Sequence, residues 1–324
     1  MAFARLAEAA TPTARIGLGL AAVGRPGYIT LGRDRDLPDT RTVDAMRERA
    51  HALLDAAYAG GVRYMDAARS YGRSEEFLAE WLRSRPDAGD VVVGSKWGYT
   101  YTAGWRVDAD VHEVKDHGVA TYDRQRAETD ELLGARLDLY QIHSVTTDSP
   151  ALTDRALHER LARLADEGVT VGLTASGSAQ ADAIRAALEV TVGGAPLFRT
   201  VQATYNLLET SAGPALAEAH EAGLTVIVKE AVANGRLAAP GQAPPEVAAV
   251  AGESDAGCDT VALAAVLARP WAGVVLSGAA TTGQLASNLA AATLTLDEDR
   301  LARLEALAEE PGAYWRHRSA LPWQ

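Results

Sequence analysis

Asp66 and Tyr71 stand five positions apart in Tyr64-Met65-Asp66-Ala67-Ala68-Arg69-Ser70-Tyr71-Gly72, which reads as a strand end followed by a short loop. A carboxylate and a phenol held there are an acid-base pair in want of a third partner. Lys96 closes the next apolar run, residues 91–96, and His143 closes the one after, residues 137–143. An ammonium beside Asp66 makes a charged pair, and it lowers the pKa of a nearby phenol, ordinarily about 10. Tyr71 then serves as a general acid near neutral pH, with His143 orienting a carbonyl or sharing the proton transfer. Taken alone, Asp66 reads equally well as a loop hydrogen-bonder and His143 as a satisfied strand-end histidine. Their joint placement at adjacent strand ends favours a site.

The elements that must position these residues alternate regularly. An apolar run at 15–22 opens the series, and helical spacing through Met46, Ala50, Leu53, Leu54 and Ala57 predicts a helix over 42–60. Further strands are predicted at 62–67, 91–96, 137–143, 169–174, 200–203, 224–228 and 274–276, with helices at 75–83, 122–133, 153–167, 179–188, 212–222, 260–268 and 281–291. Ser74, followed by Glu75 and Glu76, supplies N-cap and first-turn chemistry for the second helix. The strands are short apolar runs suited to parallel pairing with both faces covered. Eight βα units predict an α/β fold, a single-domain (β/α)8 TIM barrel over residues 1–324, and no Gly-x-Gly-x-x-Gly run opens a βαβ unit. Three long loops, 24–41, 97–121 and 230–246, follow strands and so rise from the C-terminal face, where barrels carry their sites. A last acidic-start helix is expected at 297–309, before an aromatic tail, Tyr314-Trp315-Arg316-His317.

Net charge is −12 with the acidic residues spread over helix faces, which argues against nucleic acid or an anionic membrane as partner. The lone Cys258 rules out an internal disulfide or a multi-cysteine metal site and suits a reducing compartment, and no metal is expected. The first 13 residues lack the continuous apolar region of a secretory signal, and no run has the roughly 18 apolar residues of a span, so the expected setting is cytoplasmic. Only three lysines, Lys96, Lys115 and Lys229, stand against 28 arginines. A lysine kept in such a background suggests a need for a compact ammonium of tunable pKa.

With Asp66-Ala67-Ala68-Arg69-Ser70-Tyr71-Gly72, Ser95-Lys96 and Asp138-Leu139-Tyr140-Gln141-Ile142-His143, the sequence resembles the aldo-keto reductase family over nearly its whole length. The resemblance implies an NAD(P)H-dependent oxidoreductase that passes a hydride between nicotinamide and an aldehyde or ketone, or takes it back from the alcohol or sugar. Asp66, Tyr71, Lys96 and His143 match the family's catalytic tetrad, with Tyr71 as general acid/base. Cofactor contacts are implied at Gly19, Leu20, Asp66, Thr174, Gln202, Lys229, Asn234, Gly235, Arg236, Ser277, Gly278, Ala279, Gln284 and Asn288. Two departures stand out: Ala175 replaces an amide, and Lys229-Glu230 replaces the aromatic that stacks on nicotinamide, so the lysine stem packs there instead. The family default is NADP, while the missing cations at Gly278, Ala280 and Gln284 permit NAD. Trp97, Tyr101 and Trp105 follow Lys96 and are candidate substrate contacts for a small-molecule carbonyl or alcohol. Lys115, His117 and Arg33 are further candidates to meet an anionic substrate. The rival reading of the same barrel is a cofactor-sensing or regulatory binding protein with little turnover.

Overall fold

Eight parallel strands close into a barrel in the computed structural model, which describes Leu6 and residues 11–37, 41–238 and 241–324. They are β1 (Ile16–Gly19), β2 (Tyr64–Asp66), β3 (Val92–Trp97), β4 (Leu139–Val145), β5 (Thr170–Ala175), β6 (Thr200–Thr204), β7 (Thr225–Lys229) and β8 (Val274–Ser277). Each pairs with the next in sequence, and β8 closes on β1 through Ile16–Val275 and Leu18–Ser277. The expected (β/α)8 fold is therefore present, with β1 and β2 shorter than predicted. Most of the expected segment 1–13, residues 38–40 of the first long loop and residues 239–240 of the third lie outside the described residues.

Side chains alternate across each strand, and this creates two cores. Met65, Val93, Tyr140, Ile142, Val171, Leu173, Val201, Val226 and Val228 face outward into the shell between strands and helices. Tyr64, Val92, Leu139, Ile227, Val274 and Leu276, with Leu6, fill the barrel interior. Glycine at 17 and 94 makes room for the Tyr64 ring: a Cβ would lie 2.7 Å from its Cδ1 at Gly17 and 2.4 Å from its Oη at Gly94. The same alternation carries the inward row upward to Asp66, Lys96, His143, Gln202 and Lys229, all at the C-terminal end of the barrel. The polar residues of the site continue the interior stacking.

The helices follow their sequence signals closely. Thr42 caps Val43–Ala59 by accepting from Ala45 N at 3.2 Å, Asp154 caps Arg155–Asp166, Thr281 caps Thr282–Ala290 and Asp297 caps Glu298–Glu305. The Ser74 expectation is corrected: the helix is Ser74–Ser84 with Arg73 at the cap position, and the Ser74 hydroxyl donates instead to Ala68 O at 3.1 Å, closing the turn between Asp66 and Tyr71. Three helices among the described residues fall outside the expected ones: the short Arg33–Asp36 in the first long loop, and Pro245–Glu253 and Pro311–Ser319, the last two each opened by a proline in the first turn. The second long loop folds into a hairpin, Tyr99–Tyr101 with Glu113–Lys115, at the barrel mouth.

Candidate active site

Asp66, Tyr71, Lys96 and His143 come together at the C-terminal end of the barrel. Lys96, fully buried, donates to the Asp66 carboxylate and, at 2.9 Å, to Ala67 O. Asp66 also accepts from Tyr64 Oη at 2.8 Å and from Gln202 Nε2 at 3.2 Å. Tyr71 lies with its Oη 3.5 Å from His143 Nε2, and the Lys96 ammonium is 4.8 Å from the centre of its ring. A register shift between Ile142 and Val145, with Ser144 at φ 57°, forms a bulge in β4 beside His143. His117 braces that bulge, its ring Nε2 lying 2.8 Å from the His143 carbonyl oxygen.

The electrostatics correct one expectation. The Tyr71 phenol is pushed well up, not down: burial does most of it and the Asp66 carboxylate adds to it, while Arg25 pulls the other way. Lys96 is spent on neutralising Asp66, and burial holds its ammonium below the ordinary lysine value against that partner's pull. His143 is held well below the usual imidazole range by burial and then by Lys96 and Lys229, so it is neutral at pH 7. Near neutrality the site therefore holds a protonated phenol beside a neutral imidazole, a proton donor kept loaded.

Above the tetrad opens a cavity of about 550 Å³. Its aromatic walls are Tyr28, Tyr99, Trp315 and Trp323, and its charged ones Arg25, Glu113, Lys115, Lys229, Glu230 and Arg318. The substrate expectation is thus corrected. Trp97 follows the inward Lys96 by one residue, so it points out into the shell against Tyr122 at 5.1 Å between ring centres. Tyr101 lies on the hairpin off the cavity, and Trp105 packs edge-on to Phe77 while its Nε1 donates to Arg41 O at 2.7 Å. His117 is buried and Arg33 staples its own loop by donating to Ala22 O and, at 2.7 Å, Arg25 O, so of the anion-meeting candidates only Lys115 reaches the cavity. Arg25, 3% exposed, packs over the rings of Tyr71 at 5.3 Å and Trp323 at 4.8 Å and donates to Glu113 at 2.8 Å.

Of the expected cofactor contacts, Gly19, Asp66, Gln202, Lys229, Asn234, Ser277 and Gly278 line the cavity. The others are engaged elsewhere. Leu20 is core, Thr174 accepts from Ser144 N at 2.7 Å, Gly235 packs on Leu31, and Arg236 pairs with Glu309. Ala279 N sits against Ser277 Oγ at 3.4 Å, Gln284 accepts from Ala280 N and donates to Asp36, and Asn288 donates to Asp259 at 2.8 Å. Gly278 opens on space, with no atom within 4 Å of where a Cβ would be, and Asn234 Oδ1 is buried without a partner among the described residues. A cation reaches the 278–284 segment from another element: half-buried Arg49 of Val43–Ala59 donates at 3.2 Å to both Ala280 O and Asp36 O. With Ala280 lying 231 positions beyond Arg49, no local pattern announces it.

At the end of β7, Glu230 (φ 59°) turns its carboxylate onto Arg318 of the C-terminal helix, with Nε at 2.9 and 3.0 Å from its two oxygens. Burial would raise the Glu230 carboxyl, but Arg318 and then Lys229 outweigh it and hold the group at about 2, from 4.5. A depressed carboxyl adds stability that is present above about pH 4.5 and lost as pH falls through about 2. The shift corresponds to roughly 3 kcal/mol. Denaturant unfolding of Arg318→Ala across this range should show that increment gone at neutral pH and the acid limb correspondingly flatter. An acid limb identical to the parent's would refute the pairing as a source of stability.

The family model described as Aldo/keto reductase family matches residues 15–309. The aldo-keto reductase str7 of Strobilurus tenacellus is 26% identical over 335 residues, covering 92% of each chain. A shorter match, 37% identical over 60 residues and 18% of this chain and 16% of the other, is to an NADP(+) aryl-alcohol dehydrogenase of Phanerodontia chrysosporium. Among solved structures, an aldo-keto reductase from Klebsiella pneumoniae in complex with NADPH superposes with a TM-score of 0.66 at 22% identity, over 92% of this chain and 91% of that one. No helix among the described residues is long and apolar enough to cross a membrane. The chain belongs to the aldo/keto reductase family, whose members are NAD(P)H-dependent oxidoreductases.

Proposed function

We propose that this chain is a cytoplasmic, NADPH-preferring reductase of aldehydes or ketones with a flat aromatic body, run in reverse as an alcohol dehydrogenase, with Tyr71 as the acid/base. The observation that carries the reading is the loaded Tyr71 phenol facing His143 Nε2 at the floor of an aromatic-walled cavity, with the Lys96–Asp66 pair behind it. Gly19, Gln202, Asn234, Ser277 and Gly278 would hold the dinucleotide: the open backbone at Gly278 and the unpartnered Asn234 Oδ1 suit a polar ligand. The nicotinamide, when bound, supplies the hydride. Tyr71 donates its proton to the substrate oxygen as charge develops there, an alkoxide being more basic than a phenolate. His143 Nε2 steadies that oxygen together with the phenol, and Lys96 and Arg25 stabilise the phenolate left behind. Tyr28, Tyr99 and Trp315 offer ring faces and edges to an aryl body.

Arg49 favours the 2′-phosphate of NADPH, because that group needs charged donors. With benzaldehyde as substrate, kcat/KM should be higher with NADPH than with NADH. Arg49→Ala should cut the NADPH value about tenfold, the worth of one charged hydrogen bond, and leave the NADH value in place. An equal fall with both cofactors, or a parent preference for NADH, would remove Arg49 from this role.

A further inference from the structure

Lys229 is a half-buried amine that the proton relay does not use. It lines the cavity beside Trp315, whose ring centre is 6.0 Å from Nζ. Its neighbour in sequence, Glu230, is the natural counter-ion, yet that carboxylate is taken by Arg318. Lys229 Nζ instead donates to two hydroxyls, Thr204 Oγ1 at 2.7 Å and Ser176 Oγ at 3.2 Å. Both hydroxyls have their own protons committed: Thr204 donates to Glu230 Oε2 at 3.2 Å and Ser176 to Ser144 Oγ at 3.2 Å. They can therefore only accept from the lysine. Two acceptors satisfy the two N–H bonds of a neutral amine and leave its lone pair uncommitted, whereas the third N–H of an ammonium finds no acceptor among the described residues.

The surroundings push the same way. Burial, and then the positive charges of Arg318 and Lys96, outweigh Glu230 and Asp66 and bring the Lys229 ammonium down to about 8. His143, the other titratable group facing it, is neutral. Lys96 has the opposite disposition: it is held by the Asp66 carboxylate with no access to the cavity.

We propose that Lys229 is a covalent capture site for aldehydes, condensing with an aldehyde in the cavity to form an imine. The amine lone pair attacks the carbonyl carbon, the π pair moves to oxygen, and one amine proton transfers to that oxygen to give a carbinolamine. The nitrogen lone pair then closes the C=N bond as the oxygen leaves as water, which carries away both protons of the amine. No electrons are gained or lost in the condensation. The proposal takes its ligand class from the carbonyl reading of the pocket but not its chemistry, which needs neither Tyr71 nor nicotinamide.

The test uses the full chain without nicotinamide, benzaldehyde as probe and cyanoborohydride to reduce the imine to a stable secondary amine, followed by peptide mapping. Three lysines make the map unambiguous. The expected result is one benzyl group on Lys229, with Lys96 unmodified, and labelling roughly twenty-fold slower at about pH 6.5 than at about pH 8.5, as the neutral fraction falls. Tyr71→Phe should be labelled as fast as the parent, so lost turnover with retained labelling separates the two readings. Lys229→Arg, which keeps the cation, should take no label at that position. Modification confined to Lys115 or the amino terminus of a protein with unchanged melting temperature would overturn the proposal, as would equal Lys229 labelling at both pH values.

Discussion

Tyr71→Phe is expected to lower kcat by about 10²–10⁴-fold, the usual worth of a positioned general acid, while NADPH still quenches protein fluorescence with little change in Kd. The variant removes one oxygen and keeps the ring, so the packing of Tyr71 on Arg25 and His143 persists. No other group can supply the proton from the same place. His143 is neutral and gives no acid at pH 7, and Lys96 is committed to Asp66. Because burial and Asp66 hold the phenol above its ordinary value, reduction should show no loss of rate from phenol ionisation up to about pH 10. The oxidation direction, which needs the phenolate, should instead accelerate as pH rises. A reduction rate falling through neutrality in step with a single ionisation would contradict that assignment.

Lys96→Met is expected to be the most damaging single change to stability, about 3–5 kcal/mol, since it strands a buried carboxylate. Asp66 keeps Tyr64 Oη and Gln202 Nε2 as donors but loses the one cation that pairs with it among the described residues. The double variant Asp66→Asn with Lys96→Met should recover most of the loss, because a buried pair replaced together is nearly neutral. Activity should fall on the order of a hundredfold in Lys96→Met, since the phenolate product then lacks one of its two cations. Full stability in the single variant would mean that the pair is not buried as described.

Much of the barrel was legible because in four of the eight strands the apolar run gives way near the mouth to a residue of another kind: Asp66, Lys96, His143 and Lys229 mark where interior stacking yields to the site. Trp97 was taken for a substrate contact because an aromatic-rich loop follows Lys96, but alternation sends it outward, since an outward residue must follow the inward Lys96. Arg25, Trp315, Arg318 and Trp323 were not legible as site residues. Their places depend on the Pro311–Ser319 helix and on the backbone pairing of Tyr28 with Gln324 over the mouth, contacts between opposite ends of the chain. The sign of the Tyr71 shift was hidden for a similar reason. Residue types show that a lysine and a phenol meet, but only burial depth and the competing carboxylate decide which effect wins. Arg236 and Gln284 were expected to meet the cofactor, yet Glu309 and Asp36, far away in sequence, take their polar groups.

The most direct measurement of the central claim follows a label. The protein is mixed with NADPH carrying deuterium at the transferable C4 position and with benzaldehyde, and the alcohol is examined by mass spectrometry and NMR, in parallel with Tyr71→Phe. The account predicts one deuterium on the benzylic carbon, a hydroxyl proton drawn from solvent through Tyr71, and near-complete loss of labelled alcohol in the variant. Cofactor that binds without delivering deuterium to carbon, or a variant that forms the labelled alcohol at the parental rate, would contradict it.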